Sequence, residues 1–233
     1  PAVIIETANE TRENIIVVDE ATNNQYRFGM PGTGLTAAEW NKCLHAVEEM
    51  SDVEFIIASG SLPPGVPDTI YALLAKIAKS KNAKFIVDTS GEALKHAAAE
   101  GVYMLKPNLG ELSSLAGKKE IQPGEVKTIA REIIAKGNCE VIVVSMGADG
   151  AMLVTAEIAG IFKPPAVERK STVGAGDSMV AGIVFYLAQG KDLTQSVQYG
   201  VACGTAATLN AGTELCKKED ADRLYSLIQS AHS

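Results

Sequence analysis

The spacing of apolar positions changes character near residue 36. Before it, residues 3–7, 14–19 and 25–28 are short, partly alternating runs, punctuated by Asn9-Glu10-Thr11-Arg12 and Thr22-Asn23-Asn24. Alternation with a period of two between turn-forming residues predicts an antiparallel ribbon, which residues 30–34 (Met-Pro-Gly-Thr-Gly) close. From Thr36 onward, helical and strand patterns alternate. Thr36-Ala37-Ala38-Glu39 has the form of a capping box, and Trp40, Leu44 and Val47 share one helical face. The uninterrupted run Phe55-Ile56-Ile57-Ala58 reads as a strand buried on both sides.

The same unit then repeats in kind. Ile70, Leu73, Leu74 and Ile77 form a helical stripe before Phe85-Ile86-Val87, a helix over 93–99 precedes Tyr103-Met104-Leu105, and a helix over 126–135 precedes Val141-Ile142-Val143-Val144. Four apolar strands joined by helices imply a mostly parallel sheet covered on both faces, with right-handed crossovers. The fold class is therefore α/β, a three-layer α/β/α sandwich, with residues 1–35 as a small β-sheet lid and 36–233 as the main domain. Sheets of this kind bind ligands beyond the carboxyl ends of their strands. The residues just past those ends are Ser59-Gly60-Ser61, Asp88-Thr89-Ser90, Lys106-Pro107-Asn108 and Ser145-Met146-Gly147, a polar and glycine-rich set.

The most specific chemistry lies in Ser171-Thr172-Val173-Gly174-Ala175-Gly176-Asp177. Gly174, Ala175 and Gly176 have side chains too small to keep an anion from the backbone, and the N–H groups that open a helix supply donors and partial positive charge. That is a phosphate cradle. Asp177 beside it suits a base toward an alcohol attacking phosphorus. The bland alternative is a strand-to-helix turn with a first-turn carboxylate. The nearly all-apolar run 178–187 predicts a buried helix, which would hold Asp177 rigidly.

Other segments at the same sheet edge carry two readings each. Asn108 and Glu111 can be an N-cap and its capping-box partner, or oxygens that hold Mg²⁺ beside nucleotide phosphates. Their place at the sheet edge favours the second reading. Ser145-Met146-Gly147-Ala148-Asp149-Gly150 is a hairpin turn that can double as a nucleotide lip. Ser59 to Gly65 is a rigid loop whose hydroxyls, Ser61 among them, can meet a sugar. Arg12 is a solvent-exposed ribbon arginine or a guanidinium for the distal phosphate of a sugar phosphate. The Ala- and Gly-rich helix over 197–210 signals close helix packing.

Composition narrows the field. With 233 residues, 46% hydrophobic and 21% charged, the chain can bury a full core. A formal charge of −7 without a basic cluster disfavours nucleic acid and anionic membranes as partners. Cys43, Cys139, Cys203 and Cys216 have no C-x-x-C spacing, and Cys43 and Cys203 fall in apolar helical patterns, as expected of reduced cytoplasmic thiols. His45, His96 and His232 have no partner at a metal-ligand spacing. No run of about 18 apolar residues predicts a membrane span. A nicotinamide oxidoreductase would need G-x-G-x-x-G after a strand, and no strand here is followed by it.

In order and spacing, Gly174 to Asp177, Asn108-x-x-Glu111 and Ser145-x-Gly147-x-x-Gly150 resemble the ribokinase/PfkB carbohydrate kinases. The likeness extends through 25–32, 59–66, 171–180 and 204–213. It implies ATP-dependent phosphorylation of the 1-hydroxyl of fructose 6-phosphate. Tagatose 6-phosphate or fructose 1-phosphate kinases are the alternatives within the class, and a nucleotide-binding but catalytically incompetent fragment is the alternative outside it. The resemblance implies Asp177 as base, with the amides of Gly174, Ala175 and Gly176 on the γ-phosphoryl group. Lys106, Asn108 and Glu111 would serve ATP and Mg²⁺, and Ser145, Gly147, Gly150, Val201 and Thr205 would line the nucleotide site. Arg12 and Ser61 would bind the sugar phosphate. Oxygens near Ser171, Val173, Ala207, Asn210 and Gly212 would hold a monovalent cation such as K⁺. The ribbon would act as lid and homodimer interface. The family's upstream strands and Gly-Gly-Asn sugar motif are absent from the chain as given, so the expectation is either residues preceding Pro1 or a truncated polypeptide.

Overall fold

The computed structural model describes residues 2–19, 21–22 and 24–230, which leaves His232 outside the described residues. The fold is mixed α/β: a small antiparallel two-stranded sheet, and a mostly parallel six-stranded sheet of order β3-β4-β5-β6-β7-β8 flanked by helices. Its strands are β3 (Phe55–Ser59), β4 (Lys84–Asp88), β5 (Val102–Leu105), β6 (Cys139–Ser145), β7 (Ala151–Val154) and β8 (Ala159–Phe162). Contacts divide the chain into compact units at Met104/Leu105.

The first unit begins with the ribbon, β1 (Asn14–Asp19) against β2 (Asn24–Gly29), in the register Ile15↔Phe28 and Val17↔Tyr26. Those four side chains share one face, and all are close to half exposed. Residues 3–7, expected as a third strand, form none, and Val3 and Ile4 are exposed. A short alternating run becomes a strand only where a neighbour completes its hydrogen-bond ladder.

Helices α1 (Ala37–Glu48), α2 (Ile70–Ser80) and α3 (Gly91–Glu100) follow. The capping box of α1 forms as the sequence predicts: the Glu39 N–H donates to Thr36 Oγ1 at 3.3 Å, and the Thr36 N–H donates to Glu39 Oε2 at 2.7 Å. The Thr36 N–H foremost, then the Ala8 N–H, hold the Glu39 carboxyl below its usual range. A depressed folded-state value stabilises at neutral pH, and the contribution fades as pH falls through that value.

In the interior of β4, Phe85, Ile86 and Val87 are buried on both faces, as a covered parallel strand requires. Strand β3, read from sequence as buried on both sides, departs from this: Ile56 and Ala58 are buried, but Ile57 is 43% exposed. Its burial alternates along the strand, so one face of β3 is buried and the other, with Ile57, is open. Cys43 is also exposed, because α1 buries only Glu39 and Leu44 and each residue turns the helix by about 100°.

The second unit carries α4 (Leu109–Leu115), α5 (Val126–Ala135), α6 (Ala175–Leu187), α7 (Leu193–Thr208) and α8 (Lys218–Ser230). Strands β6, β7 and β8 pair antiparallel in turn, so β6 and β7 form the predicted hairpin around Gly147 to Asp149. Helix α6 is not wholly buried, as its composition had predicted. Met179, Val180, Gly182 and Ile183 are buried, whereas Phe185 is 49% exposed. Helix α7 is buried from Ser196 to Thr208 except for half-buried Thr205, and its glycines show why. A Cβ at Gly200 would lie 2.4 Å from Ile183 Cγ1, and one at Gly204 would lie 3.0 Å from the Ala175 carbonyl oxygen. The two helices approach as closely as bare backbone permits, as the Ala/Gly composition predicts. Helix α8, which follows, packs Ala221, Leu224, Tyr225 and Ile228 inward at helical spacing.

Candidate active site

Two sets of functional side chains form, one in each unit. In the first unit the ends of β3 and β4 are tied together. The Gly60 N–H donates to the Asp88 carbonyl at 2.9 Å, and the Thr89 and Tyr71 hydroxyls donate to the Gly60 carbonyl at 2.8 and 2.9 Å. This fixes the start of the loop that carries Ser61, and Arg12 Nη2 donates to Ser61 Oγ at 3.2 Å. The two residues singled out for a sugar phosphate are thus neighbours, although 49 positions separate them.

In the second unit, the Ser145 N–H donates to the Pro107 carbonyl at 2.9 Å, and Asn108 and Ser145 form a parallel bridge. This places the start of α4 beside the end of β6. The capping box at Asn108 is formed: its Oδ1 accepts from the Glu111 N–H at 2.9 Å, and its N–H donates to Glu111 Oε2 at 2.8 Å. Each oxygen keeps a further lone pair, so the helix-capping role and a role as hard oxygen ligands are compatible. Among the described residues no three His, Cys, Asp or Glu side chains gather to hold a metal.

A cavity of about 630 Å³, within the range of small-molecule sites, opens at this edge. Of the residues selected from sequence, Asn108, Ser145, Gly147, Gly150, Ala175, Gly176, Val201 and Thr205 line it. Lys106, Glu111, Gly174 and Asp177 do not, although each adjoins a lining segment, and Lys106 is buried. Gly174 is the N-cap of α6, with φ +72° and ψ +1° in the left-handed region. Asp177 stands exposed in the first turn. The amides of Ala175 and Gly176 are therefore among the donors that a helix N-terminus leaves without an intrahelical partner.

Sequence reasoning missed part of the wall. Pro164, Pro165, Ala166, Val167, Arg169, Met179 and Thr208 also line the cavity, beside Thr172 of the glycine motif, and Arg169 is its one charged lining side chain. The Pro-Pro segment carries no periodicity, and its only signal was its position just before the glycine motif. Behind the cradle, the Ser171 hydroxyl donates to the Gly212 carbonyl at 2.7 Å, and the Val173 N–H donates to Ser171 Oγ at 3.2 Å. The Lys170 N–H reaches the Thr208 carbonyl at 2.8 Å, and Asn210 Nδ2 the Leu215 carbonyl at 2.9 Å. Residues 170–171 are thus tied to Thr208 and Gly212. Burial pushes the thiols of Cys139 and Cys203 up to about 12, so neither supplies a thiolate at neutral pH. No helix among the described residues is long and apolar enough to cross a membrane.

The chain is 41% identical over 229 residues to the ATP-dependent 6-phosphofructokinase isozyme 2 of Escherichia coli (strain K12), covering 98% of this chain and 74% of that protein. It is 34% identical to the 1-phosphofructokinase of Rhodobacter capsulatus, covering 94% of this chain and 69% of that protein. A crystal structure of phosphofructokinase-2 from Escherichia coli in complex with potassium superposes with a TM-score of 0.93 at 41% identity, covering 98% of this chain and 74% of that one. Residues 2–220 match the model of the pfkB family carbohydrate kinases, and the chain belongs to that family.

Proposed function

We propose that this chain transfers the γ-phosphoryl group of ATP to the 1-hydroxyl of fructose 6-phosphate. The observation that carries the reading is the left-handed Gly174, which opens α6 with bare amides at a cavity wall and leaves Asp177 in the first turn. Asp177 takes the proton of the attacking hydroxyl as its oxygen closes on phosphorus. The amides of Gly174, Ala175 and Gly176 meet the charge on the migrating phosphoryl group. Ser145, Gly147, Gly150, Val201 and Thr205 seat the nucleotide, Lys106 serves its phosphates, and Arg12 and Ser61 hold the phosphate of the sugar. Asn108 and Glu111 would hold Mg²⁺, which when bound neutralises charge on the nucleotide phosphates. Ser171, Val173, Ala207, Asn210 and Gly212 would hold K⁺. The exposed apolar face of Ile15, Val17, Tyr26 and Phe28 suits a homodimer interface, since a two-stranded ribbon is marginal alone. Small sugar phosphates and ATP are the partners, and the cytoplasm is the compartment.

Parallel steady-state assays with fructose 6-phosphate, tagatose 6-phosphate and fructose 1-phosphate test the substrate. Fructose 6-phosphate is expected to give the highest kcat/KM, and a preference for either rival would overturn that assignment. Calorimetric ATP binding without transfer to any of the three would mark an incompetent nucleotide-binding fragment.

Arg169 adds a separate expectation. It is the one cation on the cavity wall, but it is exposed, so water screens its attraction for a triphosphate. Arg169→Ala is expected to raise KM for ATP by about three- to tenfold with kcat nearly unchanged. An unchanged KM would show that the guanidinium does not meet the phosphates.

A further inference from the structure

Among the described residues of the first unit, Glu39 is the one buried carboxylate, 8% exposed, and capping α1 accounts for only one of its oxygens. Oε2 accepts from the Thr36 N–H and from Thr36 Oγ1, both at 2.7 Å. Oε1 reaches back 31 positions and accepts from the Ala8 N–H at 2.6 Å. Ala8 lies four residues before Arg12.

Two further bonds hold the same segment. Asn9 Nδ2 donates to the Gly34 carbonyl at 3.2 Å, and Thr33 Oγ1 donates to the Glu10 carbonyl at 2.8 Å. Both are neutral and exposed, where water competes on nearly equal terms. The bond to Glu39 is charge-assisted and partly buried, which makes it the strongest of the three. Beyond it, the stem of Arg12 crosses Gly32 so closely that a Cβ there would lie 3.1, 3.2 and 3.3 Å from Arg12 Cβ, Cδ and Cγ. Its tip rests on Ser61. Backbone, stem and tip of one arginine are each placed.

We propose that Glu39 is a positioning residue for Arg12: its carboxylate clasps residues 8–12 to α1, so that the guanidinium is held ready for the phosphate of the sugar substrate. The inference rests on the assignment of Arg12 to that phosphate. An arginine side chain loses about 2 kcal/mol of rotamer freedom when immobilised, and a segment fixed in advance removes part of that cost from binding.

The test is a double-mutant cycle on the full chain, read by steady-state kinetics and by calorimetry with fructose 6-phosphate. Glu39→Gln offers one acceptor oxygen and one amide where two backbone N–H groups and the Thr36 hydroxyl converge, so either the Ala8 or the Thr36 N–H loses its partner. Ala8→Pro removes the long-range donor alone and leaves the capping box of α1 in place; it carries the test where Glu39→Gln fails to fold. Each is expected to raise KM for fructose 6-phosphate about tenfold, the scale of one charge-assisted hydrogen bond, with KM for ATP within about twofold. Neither should add to the effect of Arg12→Ala, since both act through that side chain. If Arg12→Ala weakens sugar binding while Glu39→Gln and Ala8→Pro do not, or if their effects add to it in full, the clasp is overturned and the assignment of Arg12 stands. If Arg12→Ala itself leaves sugar binding unchanged, both are overturned.

Discussion

Replacing Asp177 with asparagine is expected to lower kcat by about 10² to 10⁴ while leaving KM for ATP nearly unchanged, the scale for losing a positioned general base. The substitution keeps the volume of the side chain and its place in the first turn of α6. What disappears is the capacity to take a proton from the attacking hydroxyl. Asp177 shares the first turn of α6 with the bare amides and repels a bound phosphate, so neutralising it does not weaken nucleotide binding. Its removal therefore acts on the chemical step rather than on nucleotide affinity. Steady-state kinetics at saturating sugar phosphate measures this, and turnover within about threefold of the parent would remove Asp177 from the role.

The second large effect is expected at Gly174. Valine there meets two obstacles of different kinds. A Cβ would lie 2.6 Å from Leu215 Cδ2, but Leu215 is 57% exposed and its tip can rotate away. The backbone obstacle has no such escape: φ is +72°, where a β-branched residue is strongly disfavoured. Relief of that strain turns the first amides of α6 away from the cavity, so Gly174→Val is expected to cut kcat by about 10² to 10³, as loss of an oxyanion donor does. Because the cause is the backbone, Leu215→Ala should not restore the rate. A Gly174→Val enzyme at full rate would show that these amides do not face the phosphoryl group. A melting curve of the same variant separates loss of rate from loss of fold.

Local signals carried much of the architecture into the sequence. Thr36 and Glu39 announce a helix start because a capping box needs only three residues of spacing, and the apolar runs at 85–87 and 141–144 announce covered strands because a strand buried on both faces must be apolar at successive positions. The failures share one cause, dependence on neighbours. Ile57 looks like Ile86 in sequence, yet it lies on the open face of β3 while Ile86 is fully covered. Residues 3–7 alternate as a strand should, but no ladder completes them. Helix α6 is more apolar than α7 and yet the less buried, since small side chains on α7 let other elements close around it. At the site, the glycine motif was legible because its chemistry is local. The Pro164–Pro165 wall and Arg169 were not, because a cavity lining is assembled from segments far apart in sequence. Glu39 was legible as a cap, but its bond to Ala8 spans 31 positions and has no spacing to read.

The reciprocal pair at the start of α4 has a mechanical consequence. On the proposed assignment, the atoms that close the first turn of that helix are the atoms that would grip the divalent ion, so neither task can be loosened without the other. Fraying of Asn108 and Glu111 would scatter the ligands, and an ion settled on their spare lone pairs would in turn stitch the fray shut. Local melting and ion release thus become one equilibrium viewed from two ends.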